Sequence, residues 1–423
     1  MWDKISKIWK DPDLRNKILF VLGLLAIFRV AAHIPIPGID AENLKRFFNS
    51  NQILGLVNIF SGGALASFSI VALGVGPYIT SSIIFQLLGM IVPKIEAMQK
   101  EESGRQKINQ YTRYMAVPLA FLQAYSMISL ISRSSRQIIL NLSPFNIFAM
   151  MVTMTAGTIF LMWLGELISE KKVGNGISLI IFAGIVDRIP SVIQQVALTY
   201  NRAEIINLLT FIAIAIITIV GVVIMNEGQR NIPVSYAKRI RGMKMYGGVD
   251  THLPLRVNVA GVIPIIFAIS IILIPGMIAQ FFVGAKTVWV AGAADFVVTL
   301  FANQIFYGVS YFILVVAFTY FYTSVIFHPT QIAENLQKNG GFVPGIRPGL
   351  NTANYLKYVI NRIIVAGALF LGVLAILPLI MQGFTGLQSL VIGGTSLLIV
   401  VSVVIETVKQ VESQMLAREY DKY

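Results

Sequence analysis

Apolar residues run along this chain in stretches of spanning length, separated by polar connections rich in Gly and Pro. Ten stretches read as membrane-spanning helices, with approximate cores Ile18–Ala32, Leu73–Val92, Tyr114–Ile131, Ile147–Leu167, Ile177–Leu198, Ile205–Met225, Val259–Val283, Ile305–Phe327, Val359–Met381 and Leu387–Thr407. The fifth is interrupted by Asp187, Arg188 and Pro190. The stretch that organises the rest is Phe60–Leu88, FSGGALASFSIVALGVGPYITSSIIFQLL. Its first part, Ser61–Ser69, is a run of Gly, Ala and Ser with few large side chains. It is too short to cross a bilayer, which takes about 20 mostly apolar residues. From Val71 the character changes: Val75, Ile79, Ile83 and Ile84 recur near helical spacing, and Gly74, Gly76 and Pro77 mark the junction. The pattern predicts broken backbone at membrane depth, which is tolerated only where it is buried in protein or lines a water-filled cavity. It points to a pathway through the membrane with something seated in it.

Charge orients the spans. With the N-terminus placed inside and the helices alternating, 25 lysines and arginines fall on inside segments and 8 elsewhere. Basic residues crowd the cytoplasmic side of membrane proteins, so the expectation is that both termini are cytoplasmic. Trp2, Ile5, Ile8 and Trp9 share one face of a short amphipathic segment suited to the membrane surface before the first span. Ten spans divide into residues 1–200 and 201–423, with a hinge near Tyr200–Glu204. Because five is odd, two matching halves would be inverted relative to each other, as in many transport proteins. Two inside loops, residues 227–257 and 328–353, are long and basic. Helix connections need only a few residues, so loops of this length are expected to dock an anionic partner.

Composition agrees with the pattern and removes whole classes of chemistry. Hydrophobic residues make up 56% of the 423 positions and charged residues 13%, well below the share in a soluble domain. With no cysteine, disulfides and thiolate metal sites are excluded, and His33, His252 and His328 form no metal motif. No phosphate loop, paired carboxylate or nucleophile elbow stands out, so neither an enzyme nor a cofactor is expected. NGISLIIFAG and GGTSLLIV carry Gly and Ser at spacings that fit close helix packing. Glu166, Glu170 and Glu406 stand at inner helix ends, and Asp187 and Arg188 near the outer interface. None is a midplane carboxylate of the kind an ion-coupled transporter keeps, which disfavours that rival without removing it. A membrane enzyme or insertase using an intramembrane polar site is a further rival.

Eight segments in chain order carry a resemblance: FSGGAL, GPYITSSIIFQLL, ESGRQKINQYTRY, MWLGELISEKKVGNGISLIIFAGIV, YAKRIRG, THLPLRVNVAGVIPIIFA, FVPGIRPG and GGTSLLIVVSVVIE. They resemble the SecY/Sec61-alpha family, the central subunits of Sec protein translocation channels, over nearly the whole chain. The resemblance implies an all-α polytopic membrane protein, a clamshell of two inverted five-helix halves with a central pore and a lateral gate. It implies a passive route that translocates unfolded preproteins and releases transmembrane segments sideways into the bacterial cytoplasmic membrane. The family's pore ring falls on Val75, Ile79, Ile177, Ile181, Ile266 and Ile399. Its plug falls on Phe60, Ser61, Gly62, Gly63, Ala64, Leu65, Ala66, Ser67, Phe68, Ser69 and Ile70. Its lateral gate, helices two and three against seven and eight, has polar positions at Gln86 and Asn258, with a hydrogen bond across the closed gate expected between them. Partner docking falls on Arg239, Arg241, Lys244, Arg256 and Arg347. The implied partners are SecE and SecG subunits, the SecA ATPase, the ribosome, signal sequences with their preproteins, and membrane lipids.

Overall fold

The computed structural model describes residues 9–40, 43–44, 64–65, 67–132, 138–139, 143–198, 205–236, 239–241, 244–246, 250–282, 287–385 and 394–421. Trp2, Ile5, Ile8 and the Tyr200–Glu204 hinge lie outside them. In chain order the elements are α1 (Pro12–Ala32), α2 (Gly76–Ile91), α3 (Pro93–Lys100), α4 (Glu102–Ser132), α5 (Pro144–Glu170), α6 (Gly176–Leu198) and α7 (Ile205–Glu227). A hairpin region follows: β1 (Gln229–Tyr236), β2 (Arg239–Arg241), β3 (Lys244–Tyr246) and β4 (Asp250–Arg256). The chain then runs through α8 (Ile263–Phe282), α9 (Val288–Ala302), α10 (Gln304–Ile326), α11 (Pro329–Lys338), β5 (Gly341–Phe342), α12 (Leu350–Thr385) and α13 (Gly394–Asp421). Each of the ten predicted spans contains a helix, namely α1, α2, α4, α5, α6, α7, α8, α10, α12 and α13, while residues 387–393 of the tenth and Val283 of the seventh lie outside the described residues.

The helix starts follow from local chemistry. Asp11 caps α1 through its carboxylate and the Asp13 N–H, with Pro12 in the first turn. Ser143 and Pro144 open α5 in the same way, and the Asn303 side chain accepts from Ile305 and Phe306 at the start of α10. Pro93 ends the second span: α2 and α3 meet at 113°, so α3 leaves the membrane direction instead of extending it. Four helices, Glu102–Ser132, Pro144–Glu170, Gln304–Lys338 and Leu350–Ile380, are apolar enough to cross without a break, and the bent α2–α3 pair adds a fifth. Pro190 lies inside α6 and Pro275 inside α8, and both helices continue past them. Neighbouring helices re-satisfy the freed backbone groups in such places.

Packing follows chain order. α1 rests on α5 and α6, α2 on α4, and α4 on α5; α8 rests on α10, α10 on α12, and α7 and α12 on α13. Between the first five spans and the last five, α8 lies against α2 and α4, and α13 against α6. Arg29, a charge inside the first span, is bonded to Asp187 Oδ2 at 2.8 Å and donates to the carbonyls of Ala183 and Gly184 on α6. A charge within a span is costly unless paired in this way. Glu166 is likewise paired, with Arg113 of α4 at 2.5 Å.

The two long loops are one structure. β1 runs antiparallel to β4 from Gln229↔Arg256 to Ser235↔Asp250, and β5 adds to the free edge of β1 through Ser235↔Phe342 and Tyr236↔Gly341. Ile232, Leu255 and Val343 from this sheet are buried against Leu356, Val359 and Ile360 of α12. The sheet is a small departure from an all-α expectation: charge density marks the loops as unusual, but strands this short leave little alternation to read.

Glycine permits the closest helix approach. A Cβ on Gly176 would lie 1.8 Å from the Gly165 carbonyl oxygen, joining α6 to α5 backbone to backbone. Gly23 of α1 has nothing within 4 Å. Overpacking a fitted contact costs about 1–3 kcal/mol, and more where the neighbour is backbone. Gly176→Ala is therefore expected to lower the detergent melting temperature clearly while Gly23→Ala leaves it nearly unchanged; equal melting curves would refute the close α5–α6 contact.

Candidate functional site

The broken stretch before α2 is the first component. Ala64, Leu65 and residues 67–75 form successive turns, closed by Phe68 N–H to Leu65 O, Ser69 N–H to Ala64 O, Ala72 N–H to Ser69 O and Gly74 N–H to Val71 O. Of the expected plug positions, Phe60, Ser61, Gly62, Gly63 and Ala66 lie outside the described residues. The remainder is non-helical and deeply buried: Ala64, Leu65, Phe68, Ser69, Val71 and Ala72 are each at most 1% exposed. Broken backbone at this depth needs partners, and the segment after α1 supplies them. Ile36 donates to Phe68 O at 3.0 Å, Ile70 donates to Ile34 O at 3.0 Å, and Ser67 Oγ donates to Ala32 O at 3.0 Å. Phe68 adopts φ +42°, a left-handed conformation costing a non-glycine residue about 1–3 kcal/mol. Its fully buried ring packs with Leu65, Ile128 and Met154, which offsets that strain. Gly157 of α5 makes room for the segment, since a Cβ there would meet the Ile70 carbonyl at 1.9 Å.

The second component is apolar. Val75, Ile79, Ile181, Ile266 and Ile399 are buried members of a single hydrophobic cluster, and Ile177 is partly buried against it. Ile177 also reaches toward α5, its Cδ1 lying 2.8 Å from where a Cβ on Gly165 would stand. The six come from α2, α6, α8 and α13, each from the cap or the first two turns of its helix. Ala64 and Val71 belong to the same cluster, so the broken stretch is part of the same apolar core as these side chains.

The third component is an open cavity of mixed polar and apolar lining on the sheet-bearing face. It has a volume of about 820 Å³ and is lined by Asn175 and Ser178 of α6, Arg256, Asn258, and Ser402 and Glu406 of α13, among others. Its depth reflects where the helices start. α6 opens with Ser178 N–H bonded to Asn175 Oδ1 at 3.2 Å and Gly176 N–H bonded to Ser169 Oγ at 3.0 Å. Polar residues thus hold the start of α6 beside an open cavity.

The two expected gate residues behave differently from the expectation. Gln86 Nε2 donates to Ser82 Oγ at 3.2 Å, one turn earlier on α2. Asn258 Nδ2 donates to Asn226 Oδ1 at 2.8 Å and to Gly261 O at 3.3 Å. Neither Gln86 Oε1 nor Asn258 Oδ1 meets a protein donor, so the direct bond between the two side chains is not formed. Each amide is held on its own side, because a one-turn contact and a turn-closing contact are available locally. Asn226 and Ser402, which sequence reasoning missed, complete this arrangement through Asn226 Nδ2 to Ser402 Oγ at 2.6 Å. Asn and Ser near helix ends carry no distinctive spacing, so only the fold reveals them.

The expected docking residues fall on two separate sheets and a turn, β2 and β3 forming a two-stranded ladder of their own apart from β4–β1–β5. Arg239, Arg241 and Lys244 lie on β2 and β3, Arg256 ends β4, and exposed Arg347 sits in the turn after β5. That turn is closed by Ile346 N–H to Val343 O at 3.0 Å and tied to α12 by Thr352 Oγ1 donating to Arg347 O at 3.0 Å. Among the described residues no cluster of His, Asp or Glu is arranged to hold a metal ion.

Similarity to known proteins agrees with this geometry. The SecY family profile matches residues 69–408. A protein translocase subunit SecY from Streptomyces galbus is 44% identical over 438 aligned positions covering 100% of both chains. One from Mycobacterium tuberculosis is 45% identical over 98% of each. Among solved structures, a protein-conducting channel superposes with a TM-score of 0.63 at 18% identity, over 94% of this chain and 91% of that one. Sec61 from a canine ribosome–channel complex gives 0.58 at 18% identity over the same shares. The fold is the ten-helix clamshell of these channels, and the chain belongs to the SecY family.

Proposed function

We propose that the chain is the channel subunit of a bacterial protein translocase, passing unfolded preproteins across the cytoplasmic membrane and releasing transmembrane segments laterally into it. One observation supports the reading: apolar residues at the expected ring positions on four helices share a hydrophobic cluster with part of the buried non-helical stretch, and an open cavity is lined by residues at or near the start of α6 and α8 together with Ser402 of α13. A narrow dry ring excludes hydrated ions yet fits around an extended chain, because side chains yield where ions would have to shed water. Val75, Ile79, Ile177, Ile181, Ile266 and Ile399 form that ring, and residues 60–70 are the plug. Residues 1–200 and 201–423 are the two halves, opening where α8 meets α2 and α4, with Gln86 and Asn258 as the polar positions of the gate. The route is passive, so a motor or a translating ribosome supplies the force. An ion-coupled transporter is disfavoured, since the relatives are named protein translocase subunits.

The two long loops are the docking surface for SecA and the ribosome, with Arg239, Arg241, Lys244, Arg256 and Arg347 supplying positive charge. The sheet face is cytoplasmic, as are both termini. SecE and SecG complete the complex, and the outward-facing apolar side chains of the spans meet lipid.

Three experiments test this reading. Arg347→Glu is expected to abolish motor-driven export from a folded protein, measured as preprotein uptake into reconstituted vesicles; wild-type uptake would remove Arg347 from docking. Deleting Ser61–Ser69 is expected to raise resting ion conductance in a planar bilayer, and an unchanged baseline would show that the segment seals nothing. Cysteines at Gln86 and Asn258, in a chain with no native cysteine, are expected to be joined by a short bifunctional reagent and thereby to block export. Full export after quantitative crosslinking would refute a gate at these positions.

A further inference from the structure

Asn226, Asn258 and Ser402 form a relay in which Asn258 Nδ2 donates to Asn226 Oδ1 at 2.8 Å and Asn226 Nδ2 donates to Ser402 Oγ at 2.6 Å. The relay sits at the neck of the β1–β4 hairpin. There Val257 N–H donates to Gly228 O at 2.9 Å and Gly228 N–H to Ile224 O at 2.8 Å, closing the two chains together. Lys409 and Glu227, paired at 2.6 Å, fasten the same neck to α13 a second time. Ser402 is one turn from Ile399 on α13 and only 8% exposed, so the relay lies at the edge of the apolar cluster. Asn226, Asn258 and Ser402 all line the cavity.

We propose that Asn226 and Ser402 are positioning residues for lateral opening: they hold the Asn258 amide against α7 and α13, at the neck of the docking hairpin, and so withhold it from Gln86. The inference rests on the reading of Gln86 and Asn258 as gate positions. Gln86 Nε2 spends one of its two N–H groups on Ser82, and Asn258 Nδ2 spends both of its own on Asn226 and Gly261, so Asn258 has no donor left for Gln86. Removing the Asn226 acceptor frees Asn258 to bond across the opening and hold it shut. A movement of the hairpin would have the same effect through the same atoms, which makes the relay a link between the docking surface and the gate. Coupling of this kind needs a contact with two discrete arrangements, and the Asn258 amide supplies one.

The test uses the complete channel complex in vesicles and preproteins whose signal sequences are graded in hydrophobicity. Asn226→Ala is expected to lower export of weakly hydrophobic signals about three-fold, the factor equivalent to an average membrane hydrogen bond of about 0.6 kcal/mol. Strongly hydrophobic signals should be unaffected. Ser402→Ala is expected to act in the same direction more weakly, Asn226→Ser to restore export by keeping an acceptor, and Gln86→Leu in the Asn226→Ala chain to abolish the loss. Should Asn226→Ala fail to accumulate, Ser402→Ala with and without Gln86→Leu decides alone. A loss that persists in the Gln86→Leu chain would overturn the relay while leaving the gate intact. If Gln86→Leu and Asn258→Leu by themselves leave the signal threshold unmoved, the gate reading fails first and the relay with it.

Discussion

A backbone that leaves the helix inside a membrane must bring its own hydrogen-bond partners, and much of this structure answers that demand. Ala64, Leu65 and residues 67–75 are turns where a helix would satisfy every peptide group by itself. The partners come from three places: the turns themselves, the Ile34–Ile36 segment that bridges to Phe68 and Ile70, and the hydroxyl of Ser67. Each imposes a further condition. The bridge requires α1 to end beside the segment. Close seating requires glycine at position 157 of α5. Burial of Leu65 and Phe68 requires the apolar faces of α4 and α5, through Ile128, Ile131 and Met154. The non-helical segment is thus fixed mainly by the first five spans, while its inner edge, Ala64, Val71 and Val75, touches the cluster shared with α8 and α13.

That division has a mechanical consequence. The apolar cluster draws on both sets of helices, and among the described residues its members meet through apolar side chains. Ile181 of α6 and Ile399 of α13, with Val75 and Ile79 of α2 and Ile266 of α8, belong to one hydrophobic cluster, and α6 lies against α13 and α2 against α8. Polar bonds are placed elsewhere: Arg29 to Asp187 and Arg113 to Glu166 lie within the first five spans, and Asn226 to Ser402 and Lys409 to Glu227 within the last five. An exception is Gln414, which donates to the Lys172 carbonyl where α13 passes the α5–α6 turn. Apolar contacts between branched side chains slide and re-form at small cost, whereas a buried ion pair resists separation because each charge would be left without a partner. The arrangement lets two rigid sets part along an apolar seam.

Much of the fold is legible in the chain because the bilayer sets a length. Runs of about 20 apolar residues locate all ten spans, even α6, where Asp187, Arg188 and Pro190 weaken the signal. Asp187 is no break in the fold, because Arg29 on α1 supplies its counter-charge. Elements outside the apolar core were less legible. α9, Val288–Ala302, is apolar but too short to span, and α3 is hidden behind the Pro93 bend. The three-stranded sheet depends on β5, two residues long, pairing with a strand about a hundred positions earlier, and no local pattern announces such a contact. At the site the distinction is similar. Broken backbone at Phe60–Leu88 follows from Gly, Pro and length, whereas the apolar cluster could not be picked out from isoleucines that composition makes common. The expected Gln86–Asn258 bond failed for a local reason: Ser82 and Asn226 offer each amide a nearer partner.

The same competition explains why polar groups can be kept at a seam that has to open. A hydrogen bond across the seam would be worth about 0.6 kcal/mol on average in a membrane, and its loss would leave two buried groups unpaired. With each amide bonded on its own side, parting the helices breaks no such bond, and the cost of opening falls on the apolar contacts alone. An entering apolar segment replaces those contacts with contacts of the same kind. A polar segment replaces them poorly, so the discrimination between the two arises from the seam itself and needs no dedicated recognition pocket. On the proposed reading the polar amides act at the margin, where a shift of one hydrogen bond changes which marginal segments are admitted, and Asn226 and Ser402, at the edge of the seam, act on that margin by holding one of its amides.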